Sequence, residues 1–251
     1  MTIFEPGTAM LVTGASGAIG HEIATQAAAE GATVGVHGSN TQTAAAAIAR
    51  LSERVPAARI AGLAADFREP GAIAAMIADF ALTAGRIDAV IHCGITGAPG
   101  VAGPFANADP TAFSEHAALV LGAFQQLCHA ALPHLAIRGG TIIGFASDAG
   151  RFAAPRQAVI GAAFGGIIAF VRNLALEVAR QGVRVHCITP TFVADTPAFA
   201  AHAARAGAAQ ARAGLGLPSP VDIAPLALFL CGPGAIKITG QVISVNGGLS
   251  A

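Results

Sequence analysis

Gly14, Gly17 and Gly20 stand three apart in Thr13-Gly-Ala-Ser-Gly-Ala-Ile-Gly20, between a β-branched run and an alanine-rich stretch. Glycines at a strand-to-helix turn let the backbone fold tightly and approach a pyrophosphate, whose charge rests on the free N–H groups of the helix N-terminus. The plainer reading of the same glycines is a tight turn with no ligand. A second constellation is His92, Ser147 and Asp148, each near the end of an expected strand. A His–Ser–Asp set there could do acid–base or nucleophilic work, although Asp148 also suits a turn cap. Cys93 beside His92 is a candidate thiol, with a buried cysteine as the simpler alternative. His129 and His134 are five apart and off a common helix face, and the four cysteines are scattered, so neither a metal site nor a disulfide framework is expected.

Positioning such residues takes alternating strands and helices. Strands are expected at 10–13, 31–36, 60–65, 87–92, 141–145, 183–188 and 242–245. Helices are expected at 21–30, 44–54, 71–83, 111–137 and 157–181, with a Gly/Pro loop at 94–110. The alternation predicts an α/β fold: one doubly wound parallel sheet with helices on both faces, in a single domain over 1–251. The Ala/Gly-rich segment 191–220 is expected to be a loop-like, mobile lid over a pocket.

Composition narrows the functions. Lys and Arg number 14, as do Asp and Glu, so the net charge of zero argues against a nucleic-acid partner or a polybasic membrane patch. Charged residues make up 11% of the chain and hydrophobic ones 54%, too little charge to solvate a lone globule comfortably, which favours an oligomer. The longest uncharged apolar run, 158–171, falls short of the roughly 20 residues of a membrane span. With no signal-peptide pattern at the N-terminus, a cytoplasmic protein is expected. The chain has no tyrosine and no tryptophan, and its only lysine is Lys237.

In combination the motifs resemble the short-chain dehydrogenase/reductase family. The resemblance rests on Thr13–Gly20, Asp66, Gly85-Arg-Ile-Asp88, Gly140–Gly150 ending in the S-x-x-G serine Ser147, Leu174–Glu177, Gly182–Pro190 and a C-terminal signature at 222–248. It implies a Rossmann-type fold, with Gly14, Ser16, Gly17, Ile19, Gly20, Asp66 and Phe67 as cofactor-binding positions. It also implies a catalytic Asn, Ser, Tyr and Lys, of which only Ser147 is present. The other three places hold Leu119, Ile160 and Phe164. Ile160 and Phe164, at i and i+4, share a helix face and can neither donate a proton nor hold a charge. Past the second strand, Gly38, Ser39 and Asn40 supply neither the acid that selects NAD nor the base that selects NADP.

These departures lead to an expectation of a degenerate member of the family. It would serve as a non-catalytic subunit beside a homologous active one, in a complex such as a hydroxyacyl-CoA-type dehydrogenase, or would pair with itself. Assembly would use the helices at about 111–137 and 157–181. No tightly bound cofactor is expected; weak binding of NAD or NADP is. The alternatives are a non-redox enzyme using His92, Ser147 and Asp148 in an apolar pocket, and a dinucleotide-sensing regulator.

Overall fold

The computed structural model describes residues 4–94, 99–201 and 203–250. Seven strands form one parallel sheet in the order β3-β2-β1-β4-β5-β6-β7: β1 Ala9–Thr13, β2 Thr33–Gly38, β3 Arg59–Ala64, β4 Ala89–His92, β5 Gly140–Phe145, β6 Val183–Pro190 and β7 Val242–Val245. Strands β1, β2, β4 and β5 are buried almost throughout, because helices cover both faces of the sheet. On one face α3 Ala72–Ala84, α5 Ala123–Leu135 and α6 Ala158–Val178 pack Phe80, Phe124, Leu127 and Val171 onto the sheet. On the other, α1 Ala18–Ala29, α2 Thr41–Arg54 and a later helix, α9 Pro220–Cys231, pack Ile23, Leu51 and Leu228. The strand order reverses between β1 and β4, and in open α/β sheets ligands settle at that switch, past the carboxyl ends of the strands.

Local chemistry accounts for the helix starts. Asn40 caps α2 through a capping box with Thr43, and Ser219 does the same for α9 with Asp222, Pro220 taking the first helical turn. Three expectations need correction. The helix expected over 111–137 is broken: α4 Phe113–Ala117 passes through a π turn at Ala118–Gly122 into α5. The segment 191–220 is partly helical, with α7 Pro197–Ala201 and α8 Ala203–Arg212. Helix α9 was not anticipated, since Pro220 and Pro225 punctuate a run that its capping box starts. The helix Ala158–Gln181 is long and apolar enough by length and composition to cross a membrane. Here Ile167, Val171, Ala175 and Val178 from it are buried in the sheet core.

The fold also buries neutral histidines. His92 on β4 and His186 on β6 are fully buried, and desolvation pushes their pKa values down to about 3 and about 4. Depressed folded-state values mean that the stability they carry is complete above the ordinary histidine pKa near 6.5. It is lost as pH falls through the folded values. Melting temperature followed by circular dichroism should therefore hold from pH 8 to 7 and drop steadily from pH 6 to 4. Replacing the unpaired imidazole in His186→Leu should make that drop shallower; an unchanged slope would contradict the assignment.

Candidate active site

A cavity of about 570 Å³ opens over the ends of the central strands. Its floor is the turn from β1 into α1, Gly14 to Gly20. Gly14 takes a left-handed φ of +66°, and a Cβ there would meet the backbone of Gly94 at 2.6 Å. A Cβ on Gly20 would lie 2.5 Å from the Gly14 carbonyl, so α1 can seat this close only with glycine at both places. The Gly17 N–H donates to the Gly14 carbonyl at 2.9 Å, closing the turn. Gly17 precedes α1 and makes no side-chain cap, which leaves the first N–H groups of the helix for an anion. The cradle fits a dinucleotide pyrophosphate. Of the other expected cofactor positions, Ile19 lines the cavity. The Ser16 carbonyl is held by Arg50 Nη2 at 2.9 Å.

Asp66 and Phe67 stand apart from the cavity lining. Asp66 accepts the Arg68 N–H at 3.0 Å. Phe67 belongs to an aromatic column: it stacks on His37 at 4.7 Å and on His92 at 5.9 Å, and His92 stacks on Phe124 at 5.5 Å. His37 and Arg50 were missed in the sequence; the one signal for His37 is a polar residue in an otherwise buried strand.

The far wall holds Ser147, Ile160 and Phe164, with Pro190–Val193 and Thr196–Phe199 from the segment after β6 closing the side. Leu119 is buried in the π turn and does not line the cavity. The polar side chains lining the wall are Ser147, Gln157, Thr191 and Thr196, together with the Cys93 thiol; no charged side chain lines it among the described residues. Burial pushes the Cys93 thiol far above its ordinary range, so it is not the reactive thiolate considered from sequence. Ile95, in the segment that replaces a family motif, lies outside the described residues.

The His92–Ser147–Asp148 trio does not assemble. The His92 ring is enclosed by Phe67 and Phe124, and its Nδ1 shares a hydrogen bond of 2.8 Å with Thr13 Oγ1. The Asp148 carboxylate is consumed by Thr189 and Thr191 hydroxyls at 2.8 and 2.9 Å, and by Ser244 Oγ and Asn246 Nδ2, each at 2.5 Å. It ties the turn after β5 to β6, β7 and the C-terminal loop. Ser147 alone faces the cavity. Its Oγ accepts the Ala149 N–H at 3.3 Å, which leaves its own proton free to donate.

The comparisons with known proteins decide the family. An enoyl-(acyl carrier protein) reductase family model matches residues 14–250. The chain belongs to the short-chain dehydrogenase/reductase family. It is 32% identical over 248 residues to the 3-oxoacyl-(acyl-carrier-protein) reductase of Chlamydia trachomatis, covering 96% of each chain. It is also 32% identical over 173 residues to the peroxisomal 2,4-dienoyl-CoA reductase of Saccharomyces cerevisiae, covering 66% of this chain and 56% of that one. A dehydrogenase/reductase structure from Sinorhizobium meliloti superposes with a TM-score of 0.89 at 26% identity, over 100% of this chain and 98% of the other.

These relatives overturn the expectation of a non-catalytic partner subunit, since proteins matched along the whole chain are named as reductases in their own right. The non-redox alternative loses its trio to burial, and nothing in the cavity supports a purely sensing role. The error lay in equating the missing tyrosine and lysine with a missing reaction.

The carboxylate hub yields a prediction. Asp148→Ala strands three hydroxyls and one amide around a buried gap, and hydrogen bonds to a charged group are worth about 1.5–3 kcal/mol each. Urea unfolding should show a loss of at least about 3 kcal/mol, with Asp148→Asn losing less. A change under about 1 kcal/mol would show that the hub is not what joins β5, β6 and β7.

Proposed function

We propose that the protein is a nicotinamide-dinucleotide-dependent reductase of conjugated, apolar carbonyl compounds, such as enoyl thioesters or enones. The observation that carries this reading is the cavity itself: the glycine cradle at one end, one free hydroxyl at the other, and apolar wall between. When bound along the Gly14–Gly20 turn and the α1 N-terminus, the reduced dinucleotide supplies a hydride.

Reducing an isolated carbonyl places charge on an alkoxide oxygen that needs a proton donor beside it. Ile160 and Phe164 cannot give one. Conjugate reduction makes a smaller demand. Hydride arrives at the β-carbon, the C=C electron pair moves toward the carbonyl, and the charge spreads over an enolate. Ser147 Oγ–H donates to that oxygen as charge develops, the role of an oxyanion-hole donor. Water then delivers the proton to the α-carbon, so no side chain changes protonation state. Both the enoyl reductase family model and the dienoyl-CoA reductase relative favour this chemistry over simple ketone reduction.

The apolar lining and the absence of a charged side chain suit a neutral substrate body. Without a lysine at the ribose, the dinucleotide is held by backbone and dipole alone. Losing one or two charge-assisted bonds of about 1.5–3 kcal/mol weakens binding at least tenfold, since ~1.4 kcal/mol is tenfold. Self-association through α5 and α6 in the cytoplasm belongs to the same reading; Leu176 on α6 is 79% exposed and is an apolar residue such a contact would cover.

Steady-state oxidation of NADH and NADPH should be measured with a crotonyl thioester and, separately, an acetoacetyl thioester. Turnover of the enoyl compound should exceed that of the keto compound at least tenfold. Ser147→Ala should lower kcat by about 10²–10³-fold, the cost of one oxyanion donor. Faster reduction of the keto compound, or none of either, would overturn the proposal.

A further inference from the structure

His37 is the penultimate residue of β2, 4% exposed, and touches the glycine turn from beneath. The Gly14 N–H donates to its Nδ1 at 3.0 Å, and its Nε2 lies 2.9 Å from the Ala65 carbonyl. An acceptor at Nδ1 fixes the tautomer: the proton sits on Nε2 and is donated to Ala65. The ring is further clamped by Phe67, stacked 4.7 Å away with an interplanar angle of 9°. One neutral imidazole thus links the end of β1 to the end of β3 across β2.

We propose that His37 is a positioning residue for the dinucleotide turn, holding Gly14 in its ligand-competent conformation only while the imidazole is neutral. This rests on the reading of the Gly14–Gly20 turn as the dinucleotide site. A second ring proton would face the Gly14 N–H, donor against donor, at the one residue whose left-handed backbone sets the turn. The turn would have to part from β2, and the free N–H groups of α1 would lose their aim. Protonation therefore weakens dinucleotide binding without any contact between His37 and the ligand.

The surroundings leave the ring little means to stabilise a charge. From β4 comes His92, beyond Phe67, itself held neutral by burial. From the segment after β3 come Asp66 and Arg68, 3.6 Å apart and paired with each other, Arg68 also reaching Glu115 at 3.5 Å. From α2, Arg50 is spent on the Ser16 carbonyl. Among the described residues no carboxylate is bonded to the imidazole. Desolvation holds the His37 pKa below the usual 6.5, outweighing the Ala65 contact that raises it. The neutral form is the resting state at physiological pH, and the transition lies on the acid side.

Calorimetric titration of NADH and NADPH into the wild type, His37→Phe and His37→Asn from pH 7.5 to 5 tests this. Phenylalanine keeps the stack on Phe67 and removes both hydrogen bonds; asparagine offers Oδ1 where Nδ1 stood and cannot titrate. Wild-type affinity should be constant above pH 6.5 and fall several-fold toward pH 5. His37→Phe should be about tenfold weaker at every pH, and His37→Asn should rescue most of that loss and lie flat. A flat wild-type profile, or the same slope in His37→Asn, would overturn the proposal.

A ligand-free measurement separates it from the proposed function. At pH 7.5 the Gly14 amide resonance should move in His37→Phe and return toward the wild-type position in His37→Asn. If neither dinucleotide binds the wild type while that pattern holds, the reductase reading fails and the positioning contact stands. If the Gly14 resonance ignores both substitutions, the contact fails whatever the protein binds.

Discussion

The closest constraint in the molecule is the lack of room for a Cβ where β1 turns into α1. At Gly14 an added carbon would sit 2.6 Å from the Gly94 backbone, and at Gly20 it would sit 2.5 Å from the Gly14 carbonyl. Backbone meets backbone at both points, so no rotamer change could relieve the crowding. Because the turn is this tight, the N-terminus of α1 stops at the carboxyl ends of β1 and β4, where the strand order reverses. The cavity, the exposed N–H groups and the approach of any phosphate follow from that seating.

Around the turn the protein uses two different kinds of cement. Beneath it, His37, Phe67, His92 and Phe124 stack in a column whose histidines stay neutral because burial penalises their charge. Beyond the cavity, Asp148 draws four donors from β6, β7 and the C-terminal loop onto one carboxylate. Both groups looked chemically active in the sequence, and both are structural in the fold. The side chains left over at the cavity wall are weak acids and apolar groups, which is why a reaction that asks nothing of a side-chain acid is the one the site suits.

Seven β-branched runs and the glycine spacing made the parallel sheet and its helices legible before any coordinates, because burial on both faces forces near-continuous apolar strands. The same logic placed Ile160, Phe164 and Ser147 correctly at the cavity. It failed where neighbours decide the outcome. Ala/Gly-rich composition hid α7 and α8, prolines disguised α9, and the π turn at Ala118–Gly122 has no sequence period of its own. His92 and Asp148 could not be told from working residues, since nothing in a linear sequence reveals that Thr13, Thr189 and Asn246 have already taken their hydrogen-bonding capacity. The functional expectation erred by a related step: two absent side chains were taken to abolish chemistry, when their absence changes where the proton must come from.

That source of the proton is the centre of the account, and isotopic labelling of the product reads it directly. An enoyl thioester would be reduced with a dinucleotide carrying deuterium at the transferable C4 position, in ordinary water, and the product examined by nuclear magnetic resonance. The account predicts one deuterium at the β-carbon and a solvent proton at the α-carbon, with the carbonyl intact. Deuterium on a carbinol carbon, or a product without deuterium, would contradict it.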